Sequence, residues 1–259
     1  MIEFVVLGRL EARSARGVVA VRGAFRRALF QALAVSEGRV VPTQALVREV
    51  WGRDRPDGVG NALQAHVSRL RRQLDALEPH REHSRLVGDP HGYQLLLDDA
   101  TLDADTFVRA VHEARAAAGR DPRRVRDLLR GALRLWRGPA VGGEAGGVLC
   151  RSAAARYDEY RIQALELLID SELALGHHAH VLGELREVCA ENPLRERFFE
   201  QLMLALYQSG RQAEALETYR QLSSRLTGEL GISPSPVLRR TERAILEHDP
   251  VLAPPVAAS

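Results

Sequence analysis

Leu63, Val67, Leu70 and Leu74 recur at i, i+4, i+7 and i+11 within NALQAHVSRLRRQL at 61–74. That spacing predicts a helix with one apolar stripe turned to a core. About 180° from the stripe lie Asn61, Ala65, Ser68 and Arg72, with Gln64 and Arg69 on the flanks. Upstream, the Phe- and Val-rich stretch 3–10 predicts a strand, with a second short one near 18–21. Residues 23–35 predict a helix with Leu29 and Leu33 on one face. An extended piece at 40–42 precedes Thr43, read as the N-cap of a helix carrying Leu46, Val47 and Val50 and closed by Gly52. The Pro- and Gly-containing stretch 53–60 is a loop, and the helix of the opening stripe runs to about 77, before Pro79. Two short apolar runs, 85–88 and 93–97, flank Asp89-Pro90-His91-Gly92, whose residues favour a tight turn. Two helices, a turn and then a hairpin is the order of a winged helix-turn-helix.

From 103 onward strand signals stop. Helices are expected at about 103–118, 122–137, 151–175, 178–191, 194–209, 212–227 and 236–247. Gly176 aligns with Gly210, 34 residues on, and with it Ala179 with Ala213, Leu182 with Leu216 and Val188 with Leu222. A 34-residue helix-turn-helix period is the tetratricopeptide pattern, in which a turn glycine lets two helices meet and a small alanine lets them pack closely. The expected fold is therefore mixed: an α+β winged helix-turn-helix over 1–97, an all-α tetratricopeptide-like domain over 103–249, and a Pro- and Ala-rich disordered tail over 250–259.

Charge sharpens this division. The 259-residue chain has a net charge of only +2, yet residues 1–97 hold 15 Arg against 10 acids, and residues 98–259 hold 21 Arg against 24. A basic first part and a mildly acidic second part fit a nucleic-acid module followed by a protein-binding one. All 36 basic residues are arginine. Without lysine there is no phosphate-loop lysine and no Schiff-base nucleophile. No apolar run is long enough for a membrane span. The N-terminus lacks the features of a signal peptide, and two isolated cysteines fit a reducing cytoplasm.

The outward face of 61–74 could be merely solvated, but its short amides, hydroxyl and guanidinium forks are the groups that read base edges and hold phosphates. Asn61, Gln64 and Ser68 are the candidate base readers; Arg72 could reach guanine or phosphate, and Arg69 a phosphate. Arg26 and Arg27 at the start of the first helix, and Arg85 and His91 in the wing, are further candidate contacts, with plain surface solvation as the alternative. Trp51, Trp136 and Tyr93 read as packing residues. His177, His178 and His180 lack neighbouring ligands at metal spacing apart from Glu184. The glycine-rich 138–147 has neither a preceding strand nor a lysine, and no nucleophile–His–acid pattern or HExxH is present. Neither catalysis nor a cofactor is expected.

Several phrases resemble a known family, the Streptomyces antibiotic regulatory proteins, over residues 1–249. EFVVLGRLEA, RGAFRRALFQAL, LVREVWG, NALQAHVSRLRRQL and the PHGYQL wing are similar to its OmpR-type DNA-binding half. LLRGALRLWRGPA, DEYRIQALELLIDSELALG, ENPLRERFFEQLMLALYQSGRQAEALETYR and ELGISPSPVLRRTERAIL are similar to its bacterial transcriptional activation domain. The resemblance implies a cytoplasmic transcription activator, not an enzyme. It would bind direct repeats in double-stranded DNA near promoters of secondary-metabolite genes, as a dimer on DNA, and recruit RNA polymerase holoenzyme. It also adds His66 and Arg71, as backbone holders, to the candidate DNA contacts, which already include Ala65 as the small residue on the outward face. Rival readings are a tetratricopeptide-like interaction protein, a repressor using the same winged helix and, third, a small-molecule sensor. The chain departs from the family at Phe25, where a basic residue is common, at His91, where a second proline is usual, and at the glycine-rich 140–148, expected to loosen the link between helices. Neither the ATPase domain of larger relatives nor a receiver domain is expected, and so neither is switching by aspartyl phosphorylation in cis.

Overall fold

The computed structural model describes residues 1–143 and 146–252. It is an N-terminal α+β winged helix followed by helices, the expected class. β1 (Glu3–Val5), β2 (Glu11–Ser14) and β3 (Gly17–Ala20) form an antiparallel meander, and the two-residue β7 (Thr101–Leu102) adds parallel to β1. Where one strand was expected over 3–10, the chain makes β1, turns through Gly8, and pairs again as β2. β7 carries no pattern of its own because it is held by backbone pairing with a strand far away in sequence.

α1 (Ala24–Ala34), α2 (Thr43–Trp51) and α3 (Val59–Asp75) come next, with β4 (Val41–Pro42), β5 (Leu86–Asp89) and β6 (Gly92–Leu95) forming a second sheet in the order β4-β6-β5. β5 and β6 pair through Asp89↔Gly92, leaving Pro90 and His91 as the tip of the wing. Thr43 is the first helical residue of α2 and not its cap, a place taken by Pro42 without any side-chain cap bond. Gly92 must be glycine, since a Cβ would overlap the Val41 carbonyl of β4. The α3 stripe is buried as the periodicity predicts: Leu63, Val67, Leu70 and Leu74 are each at most 2% exposed, in a core with Leu29, Leu33 and Leu46.

The helices that follow are α4 (Asp103–Ala117), α5 (Pro122–Leu133), α6 (Val148–Ala174), α7 (His178–Glu191), α8 (Glu196–Gln208), α9 (Gln212–Arg225) and α10 (Pro236–Leu246). Compact packing does not follow chain order. The first unit takes 1–111 together with 131–162; the second takes 112–130 and 163–259. In the first unit the Asp103 carboxylate explains why α4 begins here: it accepts N–H bonds from Val6 at 2.9 Å and Leu7 at 3.1 Å on one side, and from Ala104 on the other. Burial outweighs these donors and raises the Asp103 carboxyl to about 6.

Glu49 plays a similar part on α2. Only 7% exposed, it accepts from Leu149 N at 2.8 Å and Cys150 N at 3.3 Å, capping the start of α6. A Cβ on Gly147 would lie 2.5 Å from that carboxylate. Here glycine serves close approach; Glu144 and Ala145, within the glycine-rich stretch expected to loosen the link, lie outside the described residues.

In the second unit α7, α8 and α9 pack in sequence around Val181, Leu185, Phe198, Leu202, Leu206 and Leu222. Gly176 and Gly210 both have left-handed φ, 80° and 76°, as the repeat requires of its turn residues. The small residue buried in the second repeat is Ala215, fully buried, with Val181 at its equivalent; Ala179 and Ala213 are exposed and do not make the close contact expected of them. Pro250–Leu252 form a short 3-10 turn, and the rest of the tail expected to be disordered lies outside the described residues.

Candidate nucleic-acid interface

α3 starts at Gly58, whose left-handed φ of 70° turns the chain into the helix. Because the apolar stripe fixes which face is buried, the opposite face is fixed as well. Asn61, Gln64, Ala65, Ser68, Arg69 and Arg72 are all exposed and share that outward side. Neither Arg69 nor Arg72 has an ion pair among the described residues. Two amides, a hydroxyl and two free guanidinium groups on a helix whose back is anchored are chemically able to meet a polyanion and its base edges.

The other candidates divide. His66 sits on the edge of α3 within a ring cluster, 5.6 Å from Phe25 and 5.9 Å from Trp51, which are themselves 5.5 Å apart. Burial first, then Arg69 and Arg26, push its imidazole below the ordinary histidine range, so it is neutral at pH 7. Arg26 therefore lies near α3. Arg27 is on another side of α1, lining a cavity with Arg9 and Arg22. Arg71 is half-buried, and its Nε donates to the Leu86 carbonyl at 2.8 Å, tying α3 to β5. His91 is exposed at the wing tip, where its N–H donates to Asp89 Oδ1 at 2.8 Å and its carbonyl accepts from Thr43 N at 3.0 Å.

Arg85 is the clear correction. Its side chain is 1% exposed. Nε and Nη2 donate to Glu78, Nη2 also reaches Asp99 Oδ1 at 2.7 Å, and Nη1 the Leu96 carbonyl at 3.3 Å. The Glu78 hydrogen bond raises its already high pKa. It is a structural ion pair at the wing base and cannot also hold phosphate. Its partners come from loops, so no periodicity revealed the burial.

Sequence reasoning passed over Phe25, noted only as a departure, as the residue that closes the ring cluster over Trp51 and His66. It also passed over Glu49. The signal was available for the second: Glu49 lies three residues after Leu46 on the buried side of α2, where a lone carboxylate needs donors.

The chain belongs to the Streptomyces antibiotic regulatory protein family of transcriptional activators. Residues 24–95 match the transcriptional regulatory protein C-terminal family, and 102–246 the bacterial transcriptional activator domain. It is 41% identical to the transcriptional regulator RedD of Streptomyces coelicolor, over 99% of this chain and 73% of that protein. It is 38% identical to the regulatory protein AfsR of the same organism, spanning all of this chain and 25% of the relative. A solved structure of Mycobacterium tuberculosis EmbR, in complex with a low-affinity phosphopeptide, superposes with a TM-score of 0.88 at 30% identity, covering 96% of this chain and 66% of that one. These relatives are transcriptional regulators, the class to which this chain belongs.

Proposed function

We propose that the chain is a sequence-specific activator that seats α3 in the major groove of double-stranded DNA. Asn61, Gln64 and Ser68 read base edges, with Ala65 giving close approach. Arg69, Arg72 and Arg26 hold phosphates, and His91 at the wing tip lies over the neighbouring backbone. His66 and Arg71 set the attitude of α3, one through the ring cluster and one through Leu86. The carrying observation is the outward face of α3 from Asn61 to Arg72, exposed and without a carboxylate over that stretch, on a helix whose opposite face is fully buried. On this reading two copies bind direct repeats with half-sites about one helical turn apart. The helical domain over 103–249 supplies contacts to RNA polymerase at promoters of secondary-metabolite genes.

Pull-down of the chain with bound genomic DNA from its source cells, followed by sequencing and transcript counting, tests this. Enrichment of a direct repeat upstream of genes whose transcripts fall when the chain is deleted supports it. Absence of any enriched repeat sinks the DNA assignment, and transcripts that rise on deletion turn the activator into a repressor.

A further inference from the structure

Among the described residues, Phe25 is the one large apolar side chain of α1, α2 and α3 left exposed, at 45%. Its inner face is held. The ring lies 5.5 Å from Trp51, itself 8% exposed, and 5.6 Å from His66. The start of α1, the end of α2 and the middle of α3 therefore fix it together. His66 Nδ1 is buried with no hydrogen-bond partner among the described residues, so contact within the cluster is apolar.

The place of His66 on α3 says where this ring stands. At about 100° per residue, His66 is about 60° round the helix from Arg69, and Arg69 about 40° from Ala65 in the middle of the outward face. Arg71, tied to Leu86 of β5, is on the opposite flank. Phe25 thus stands at the rim of the outward face, on the side away from β5, with Arg69 between it and the base-reading side chains.

After burial, Arg69 and then Arg26 push the His66 imidazole down, which puts both guanidinium groups near the cluster. Neither has an ion pair among the described residues. The Arg26 guanidinium folds back over the start of α1, where a Cβ on Gly23 would sit 3.4 Å from its Nη2. Two unpaired cations and an exposed apolar ring gather around one imidazole. Base edges lie deeper in the groove and ask for hydrogen bonds. The backbone of a strand instead alternates anionic phosphate with the apolar C–H face of deoxyribose, and this rim carries a match for each.

We propose, resting on the reading of α3 as the helix in the major groove, that Phe25 lays its exposed ring on a deoxyribose of one DNA strand, beside phosphates held by Arg26 and Arg69. The contact adds affinity that depends neither on base sequence nor on salt.

Hydroxyl radicals cut DNA by attacking deoxyribose C–H bonds, so footprinting reads this contact directly. The full chain is footprinted at saturation on a duplex that it has itself selected from a random pool. Phe25→Ala should lose protection over one short stretch of one strand and keep the rest of the footprint. Its affinity should fall roughly three- to tenfold, with the log–log salt slope unchanged because no charge is removed. Phe25→Arg covers Trp51 with its methylene stem and so guards against a variant that fails to fold. It should steepen the slope by about 1, since the new guanidinium stands at the backbone. A saturated footprint unchanged in Phe25→Ala, or a slope unchanged in Phe25→Arg, overturns the proposal and leaves the reading of α3 standing. A random pool from which the chain selects no sequence overturns both.

Discussion

On α3, Arg69 and Arg72 point outward without a carboxylate partner among the described residues. In the helical unit several arginines are instead bound up in ion pairs. There Arg130 reaches Glu172 and Glu184, both at 2.9 Å, joining α5, α6 and α7. Arg197 holds Asp170 at 2.6 Å and Glu200 at 2.7 Å, and Arg195 pairs with Glu166 at 2.9 Å. Burial pushes the Glu172 carboxyl up, yet the hydrogen bonds from His177 and Arg130 win and hold it below its ordinary value. With no lysine in the chain, what an arginine does is decided by the carboxylates around it. Where they are supplied it fastens helices together; where they are withheld it is left for a partner. The uneven charge of the two halves is the same distinction seen from a distance.

The buried face of α3 should give the largest effect. Val67→Asp places an unpaired carboxylate among Leu63, Leu70 and Leu46. It should cost on the order of 4 kcal/mol and unfold the first unit, seen as loss of helical circular dichroism and a collapsed melting transition. A folded variant would mean that the inward and outward faces have been exchanged. Arg85→Ala comes next. It strips Glu78 of its buried partner and should cost about 2–3 kcal/mol in chemical denaturation. DNA affinity measured well below the melting temperature should hardly change; a specific affinity loss in a fully folded variant would return Arg85 to the interface.

Asp103, in the first unit, gives a pH test of a buried carboxylate held by backbone N–H groups and not by an arginine. Its folded carboxyl keeps a proton up to about pH 6, where an unfolded aspartate has already lost one. Its contribution is therefore fully present below the unfolded value near 4 and is lost as pH rises through 6, on the order of 3 kcal/mol in all. Denaturation midpoints between pH 4 and 7 should show that slope, and Asp103→Asn should remove it; a slope preserved in the variant would assign it elsewhere. On the unpaired side, Arg69→Ala with Arg72→Ala should leave melting untouched. Duplex affinity should fall roughly 10- to 100-fold near 0.1 M salt, and the log–log salt slope should become shallower by about 2. An unchanged slope would show that neither arginine meets phosphate.

How much of this was visible in the sequence follows from where each partner lies. The α3 stripe repeats within the helix itself, so Leu63 to Leu74 could be placed and the outward face with them. The repeat turns at Gly176 and Gly210 could be placed for the same reason. β7, the fate of Arg85 and the α6 cap by Glu49 depend on residues distant in sequence or in irregular loops, and no local period records them. Ala179 and Ala213 align in the repeat yet are exposed, because the alignment located the helices and not which of their faces turns inward. Phe25 stood out only as a departure until the rings of Trp51 and His66 were seen to flank it.

The central claim concerns α3's outward face as a reader of sequence. Its most direct test is the ratio of affinities for a duplex selected by the wild-type chain and for a scrambled duplex, measured at one salt concentration in the wild type and in Gln64→Ala with Ser68→Ala. Each lost base contact is worth about 1–3 kcal/mol, so the ratio should fall by roughly 10-fold or more, while affinity for the scrambled duplex stays nearly constant. A ratio unchanged by the two substitutions would contradict the assignment.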